Sequence, residues 1–358
     1  MADTSSRSKR ASYIDRRGAL ATLSVSLALA ALLALAIVLG VGSAGIPVNV
    51  TLRTLLSALL GRDAPDASAA VIILQIRLPR ALTAYLVGAA LAMSGAAMQG
   101  LFQNAMADPH IMGVSSGAAL GATICMVAGA GVIGVGALGL SAIAISAFSG
   151  GLIAVLLVIS LARTRGRLGT MSLLLSGVAV SSTLSAILSG LMIMNRDKME
   201  HVLLWTLGSF SASSYAKLIV LLPVVVVCFV GLRLIARDLN LMMLGSEEAA
   251  SLGVRVKLVR LLAIVFSTLA TAAAVSVCGI IGFVGLMVPH AVRLMVGPDH
   301  RGVLPISFLA GGLYLMIMDT LARTLAAPQE LPVGVLTALV GGPFFLWLLR
   351  RRGQGVGA

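Results

Sequence analysis

Long apolar runs broken by short polar connections recur from residue 18 to residue 349, and no polar stretch between them is large enough for a domain of its own. Crossing a bilayer takes roughly 20 apolar residues at about 1.5 Å of rise each. At that length the pattern predicts ten spans, over residues 18–42, 81–102, 111–130, 138–162, 171–194, 216–235, 259–281, 283–297, 304–322 and 333–349. The runs are continuous and lack the alternation of a membrane barrel, so they read as helices. The expected fold is all-α integral membrane, with one transmembrane unit over 18–349, a tail over 1–17 and another over 350–358. The apolar run from Ala19 to Gly42 exceeds the roughly 7 to 15 residues of a signal-peptide core and reads as a retained helix.

Composition agrees. Hydrophobic residues make up 59% of the 358 and charged residues 11%, where soluble domains carry about a quarter; mean hydropathy is +1.05. The net charge of +13 raises the question of nucleic acid, but the positions of the basic residues answer it. Arg7, Lys9, Arg10, Arg16, Arg17, Arg163, Arg165, Arg167, Arg233, Arg237, Arg255, Lys257, Arg260, Arg293, Arg301 and Arg350 to Arg352 all fall on one side of the predicted bundle. The positive-inside rule makes that side cytoplasmic, with both termini there, and explains the charge without a nucleic-acid partner. Arg77 and Arg80, in "IRLPRAL" (76–82), then fall at the outer face, just ahead of the second span.

Two stretches look like weak copies. Residues 80–102 resemble 258–282, and "TMSLLLSGVAVSS" (170–182) resembles "LPVGVLTALVGG" (331–342). An offset of five helices would place spans two to five and seven to ten in opposite orientations, the inverted repeat common among transporters. Gly, Ala and Ser at spacings of three and four in "GAALAMSGAAMQG" (88–100), "GVSSGAALGA" (113–122) and "LAGGLYLM" (309–316) suit close helix packing, and some of these positions could line a pathway.

The cytoplasmic connection 237–260 contains a short amphipathic helix between Leu244 and Leu252, with Ser246 as expected N-cap, Glu247 and Glu248 in the first turn and Gly253 as stop signal. It would dock on a partner or rest on lipid.

The chemistry is sparse. Neither GxxxxGK[ST] nor HExxH occurs, and His110, His201, His290 and His300 are widely spaced, so no ATPase or metal site of those kinds is expected. Cys125, Cys228 and Cys278 lie singly within spans, with no CxxC pair. Asp319, four residues before Arg323, is either half of a structural ion pair or the proton carrier of a secondary transporter.

Several stretches together resemble the FecCD-type permease family, the membrane subunits of ABC importers for iron chelates, haem and cobalamin. They are "RLPRALTAYLVGAALAMSGAAMQGLFQNAMADPHIMGVSSGAALGA" (77–122), "LLWTLGSFSASS" (203–214), "LGSEEAASLGV" (244–254), "GFVGLMVPHAVRLMVGPDHR" (282–301) and "DTLARTLAAPQELPVGVLTALVGGPFFLWLL" (319–349), in the family's order and spacing. The resemblance implies an inner-membrane homodimer of ten-helix subunits with the path along its axis. Two separate ATPase subunits would use ATP and Mg, and a periplasmic or lipid-anchored binding protein would deliver ligand; no cofactor is expected in this chain. It implies that Arg77, Arg80 and Arg323 meet acidic residues of the binding protein. It further implies that Leu244, Gly245, Ser246, Glu247, Glu248, Ala249, Ala250, Leu252 and Gly253 couple to the ATPase. Candidate path residues are Met93, Met98, Ser176, Gly177 and Gly341. Met93, Met98, Met192 and Met194 are either soft contacts for a haem or corrinoid face or gap fillers. Ferric siderophore, haem and cobalamin stay open as cargo.

Overall fold

The computed structural model describes residues 2–42, 45–62, 66–129, 134–135, 140–164 and 167–353. The side chains of the tail over 1–17, and residues 354–358, lie outside that description. Among the described residues, seven helices are long and apolar enough to cross a membrane, and three shorter apolar ones match the rest of the ten spans read from the sequence.

In chain order the helices are α1 (Ala2–Gly40), α2 (Val48–Leu59), α3 (Ala67–Ala70), α4 (Leu78–Leu101), α5 (Val114–Val127), α6 (Ala142–Ala162), α7 (Thr170–Met194) and α8 (Met199–Thr206). They continue with α9 (Tyr215–Leu234), α10 (Ala236–Met242), α11 (Ser246–Ser251), α12 (Val256–Cys278), α13 (Val284–Val296), α14 (His300–Thr324) and α15 (Val333–Gly353). Two-residue antiparallel pairings, Gly134–Val135 with Leu140–Ser141 and Arg163–Thr164 with Arg167–Leu168, close two of the connections.

The boundary that differs most from expectation is the second. A π-helical stretch, Val71–Arg77, joins α3 to α4, so the span runs without a break from Ala67 to Leu101. Pro79 comes just after the π-helical stretch and donates no backbone hydrogen bond, while the carbonyl of Leu74, in the turn before it, accepts from Tyr215 Oη. Arg77 and Arg80 therefore lie inside the helix and not at its lip. The sequence reading also passed over α2, which is too short to span. Its Val48, Leu52 and Leu56 form an exposed apolar stripe while Thr51 and Thr54 are buried, the pattern of a helix lying along an interface.

α4 is the centre of the molecule and is buried on nearly every side. It can be, because glycines let neighbouring backbones close in: a Cβ on Gly88 would stand 2.2 Å from the carbonyl oxygen of Gly311 in α14, and one on Gly95 1.8 Å from that of Gly285 in α13. Lipid tails are as apolar as leucine, so helices in a membrane gain from this close van der Waals approach rather than from excluding water.

The packing repeats. α5 packs on α6 as α13 packs on α14, and α4 packs on α14 as α12 packs on α6. α4 meets α13 as α12 meets α5, and α7 and α15 close the two sets, each against the two helices preceding it. Helices α4 to α7 and α12 to α15 are thus two copies of one arrangement in opposite orientation, as expected. At 14 and 13 residues, α5 and α13 are each only about 20 Å long at about 1.5 Å per residue, short of a bilayer core of about 30 Å. Each is preceded by an irregular corner inside the bundle, the one before α5 including a 3-10 turn over Pro109–Met112. The two corners meet: the His110 ring contacts the Ile281 carbonyl oxygen at 3.2 Å. Irregular backbone at this depth is tolerable because protein, not lipid, surrounds it.

Candidate functional site

At the end of the bundle opposite the basic residues, three arginines and two carboxylates form one cluster. Arg80 donates from Nε and Nη2 to Asp319 at 2.9 to 3.2 Å, and from Nη1 to both oxygens of Glu330 at 2.9 and 3.1 Å. Arg323 sits one helical turn beyond Asp319 with Nε 3.7 Å from its carboxylate. Arg77 donates from Nη1 to the Leu39 and Gly40 carbonyls at 2.8 and 3.0 Å, satisfying the last turn of α1, whose carbonyls have no intrahelical donor.

The expectation of guanidiniums presented at an outer lip is corrected on position. Arg77 and Arg80 are 5% and 8% exposed and the side chain of Arg323 is 9% exposed. The reason is the π-helical start of the second span, which carries both arginines into the bundle against α1 and α14. Asp319, 2% exposed, is correspondingly half of an ion pair, mainly with Arg80 in another helix and only secondarily with its i+4 neighbour. The half-exposed carboxylate of the cluster is Glu330, which the sequence reading did not single out.

At the basic end, α10 and α11 form a short helical element over the stretch where one was expected. α11 runs from Ser246 to Ser251, with Glu247 and Glu248 in its first turn. The N-cap is Gly245 at φ 131°, not Ser246: the chain turns into the helix through a conformation that glycine adopts readily, which moves Ser246 to the first helical position. Ser246 Oγ there accepts from Arg260 Nη2 at 3.3 Å. Gly253, at φ 87°, ends the segment as expected. Ala249 is buried, whereas Leu244, Ser246, Glu247, Glu248, Ala250, Leu252 and Gly253 are exposed, so the element presents acidic and apolar groups together.

What anchors this element was invisible in sequence. Asn240 Oδ1 accepts from the backbone N and ring Nδ1 of His300 at 2.8 and 2.7 Å, and its Nδ2 donates to Asp299, the N-cap of α14, at 2.6 Å. The His300 ring lies where a Cβ on Gly100 would be, 2.1 Å from Nε2, so α10, α14 and α4 meet at one point. Gln103 adds a second tie. It closes α4 in the left-handed conformation, φ 49°, with its N–H on Gly100 and that of Asn104 on Gln99, and its side chain donates to the Met242 carbonyl at 2.6 Å. Glycine is the usual residue at such a position; a glutamine there gave no signal of its own.

The proposed path residues are mostly sealed. Met93 and Met98 are fully buried in the core, and Gly177 and Gly341 are buried where a Cβ would meet the Ile111 carbonyl at 2.2 Å and the Phe283 side chain at 2.4 Å. Ser176 is half-buried on α7, and Met194 is exposed at the end of that helix. A cavity of about 740 Å³ lies at the end away from the basic residues, bordered by Lys198, His201, Trp205, Ser209, Lys217 and Glu330. Among the described residues no group of three or more His, Cys, Asp or Glu is placed to hold a metal.

Comparison with known proteins accords with this architecture. The chain is 46% identical over 285 residues to a cobalamin import system permease of Halobacterium salinarum, covering 80% of this chain and 75% of the relative. It is 42% identical to the hemin transport system permease of Yersinia pestis, covering 91% and 96%. A solved structure described as an inward-facing conformation of an ABC transporter of metal-chelate type superposes with a TM-score of 0.79 at 33% identity, covering 92% of this chain and 99% of that one. A family model described as the FecCD transport family matches residues 28–351, and with these relatives it makes the chain a member of that family.

Proposed function

We propose that this chain is the permease subunit of an ATP-driven importer in the inner membrane, with both termini in the cytoplasm, moving an iron chelate, haem or cobalamin inward. The relatives' names support the cargo class, since those proteins carry cobalamin and hemin. Hydrolysis would belong to a separate ATPase subunit and cargo would arrive on a binding protein; no cofactor is assigned to this chain. Two copies would pair through exposed apolar surface on α7 and α15, such as Leu175, Val178, Leu339 and Leu346, with the pathway between them.

The observation that carries this reading is α11, whose exposed Glu247 and Glu248 stand beside exposed Leu244 and Leu252 at the end of a linkage reaching the central helix. A partner pressing on α11 would move α10, and through Asn240 and Gln103 it would move α4 and α14. Binding-protein carboxylates would compete with Glu330 for Arg80 Nη1, since Nε and Nη2 are turned to buried Asp319.

The test is the purified chain reconstituted with its ATPase and binding protein, measuring ATP-dependent uptake of ferric siderophores, haem and cobalamin. Ala250→Pro, which breaks α11 at an exposed position, is expected to leave hydrolysis running while uptake falls at least tenfold. Normal coupled uptake in that variant would show that force enters elsewhere. Uptake that ignores ATP and follows a proton gradient, vanishing in Asp319→Asn, would replace the importer with a secondary transporter.

A further inference from the structure

We infer that the cavity bordered by Lys198, His201, Trp205, Lys217 and Glu330 is a cargo chamber for a chelate bearing carboxylate or other anionic groups. The inference rests on the importer reading and narrows its substrate class. At about 740 Å³ the chamber is of the size that holds organic ligands, which occupy clefts of about 300 to 1,000 Å³. It is far larger than a bare metal or a small inorganic oxyanion requires.

Its charge is the selective feature. Lys198 enters from the turn before α8, His201 from α8 and Lys217 from the first turn of α9, so two lysines and an imidazole on different elements border one volume. Lys217 Nζ donates to the Ala212 carbonyl at 2.8 Å, which uses one of an ammonium's three donors. Lys198 has only a distant carboxylate, Asp197 at 3.9 Å, and that side chain is 74% exposed. The carboxylate bordering the chamber, Glu330, is already engaged at both oxygens by Arg80 Nη1. Arg80 and Arg323 together balance Asp319 and Glu330 within that cluster, so the lysines set the sign of the space. Between low-dielectric helix walls, such a field concentrates anions, while the Trp205 indole offers a flat apolar surface for the body of an organic chelate.

The same ammonium groups could instead hold the phosphate of a lipid headgroup, and the experiment separates the two. The permease with its ATPase is placed in phosphatidylcholine nanodiscs without binding protein or nucleotide, and binding of ferric dicitrate, hemin, cobalamin and a neutral hydroxamate chelate is measured. The two carboxylate-bearing probes are expected to bind at least tenfold more tightly than the other two and to weaken with salt. Lys198→Gln with Lys217→Gln should abolish that preference, and Lys217→Arg should keep it, with the thermal unfolding midpoint unchanged in each. Equal binding of all four probes, or a preference that survives the double variant, would overturn the inference. So would phosphatidylglycerol in the disc that displaces the chelates and stays with the purified wild-type chain but not the double variant, which would assign the chamber to lipid. A separate uptake arm, with ATP and binding protein present, isolates the importer reading: uptake of no probe sinks that reading, whereas uptake indifferent to the lysines sinks only the chamber.

Discussion

The two halves of the bundle have the same neighbours but hold them by different means. In the first, α4 meets α14 and α13 glycine to glycine, with carbonyl oxygens where side chains would otherwise stand, and the Arg80 to Asp319 ion pair is added at one end. In the second, the equivalent helix α12 meets α6 and α5 through Ala272, Val275, Ala118 and Ala122, at ordinary van der Waals distance and, among the described residues, without an ion pair. The corners differ likewise. Gly113 and Phe283 both take the left-handed conformation immediately before the short helix of their half, at φ 78° and 67°, but one is a glycine and the other a phenylalanine. Duplication fixes which helices touch. It leaves each contact free to be made by backbone, side chain or charge, and the tight glycine contacts and the ion pair fall where α4 meets α13 and α14.

The strongest way to break the comparison is to remove the charge. Asp319→Asn leaves Arg80 buried with only half-exposed Glu330 for a partner, and breaking a buried pair costs about 3 to 5 kcal/mol. Its thermal unfolding midpoint in detergent should fall well below that of the unaltered chain. Replacing both partners, Arg80→Met with Asp319→Leu, should recover most of the loss, because an apolar pair needs no desolvation. Failure of the double variant to recover would mean that Glu330 and Arg323 depend on the pair and that the cluster acts as one unit.

A glycine on each side gives a smaller, sharper contrast. Gly95→Ala pushes a methyl to within 1.8 Å of the Gly285 carbonyl oxygen, in backbone that cannot rotate away, and should cost about 1 to 3 kcal/mol as overpacking. Gly151→Ala, on the face of α6 that meets α12, has its nearest neighbour at 3.2 Å. There the gain from replacing helical glycine, about 0.5 to 1 kcal/mol, should offset most of the crowding. Unfolding midpoints of the two variants report the difference; equal losses would show that the contact of α6 with α12 is packed as rigidly as that of α4 with α13.

Much of this was legible in the chain. Ten apolar runs were read and ten apolar helices are found among the described residues, because spanning length and composition are properties of local sequence. The small residues of 88–100 announced a close-packed helix, and the acidic pair in 247–248 announced α11. The interior was not legible. The burial of Arg77 and Arg80 depends on a π-helical start that no residue pattern signals, and the partners of Arg80, Asp319 and Glu330, lie more than 230 residues away along the chain. The joint of Asn240, His300 and Gly100 is assembled from three common residue types that acquire meaning only when three helices converge. The repeat surfaced as faint likeness because its equivalent positions conserve neighbours and conformation more than residue type.

Gly113 and Phe283 offer the finest test of that last point. A side chain at Gly113 would meet nothing closer than 3.5 Å, so Gly113→Ala is opposed only by its φ of 78°, a strain of about 1 to 2 kcal/mol. Phe283 already bears a similar strain, and its ring, half-buried, packs on Gly341 in α15. Phe283→Gly relieves the backbone but exchanges about 1 kcal/mol of apolar burial for an open corner, so the two terms nearly cancel. Gly113→Ala should therefore lower the unfolding midpoint measurably while Phe283→Gly leaves it almost unchanged. A large loss in Phe283→Gly would show that the ring's grip on Gly341 outweighs the strain, and that the corner before α13 is fastened by that contact.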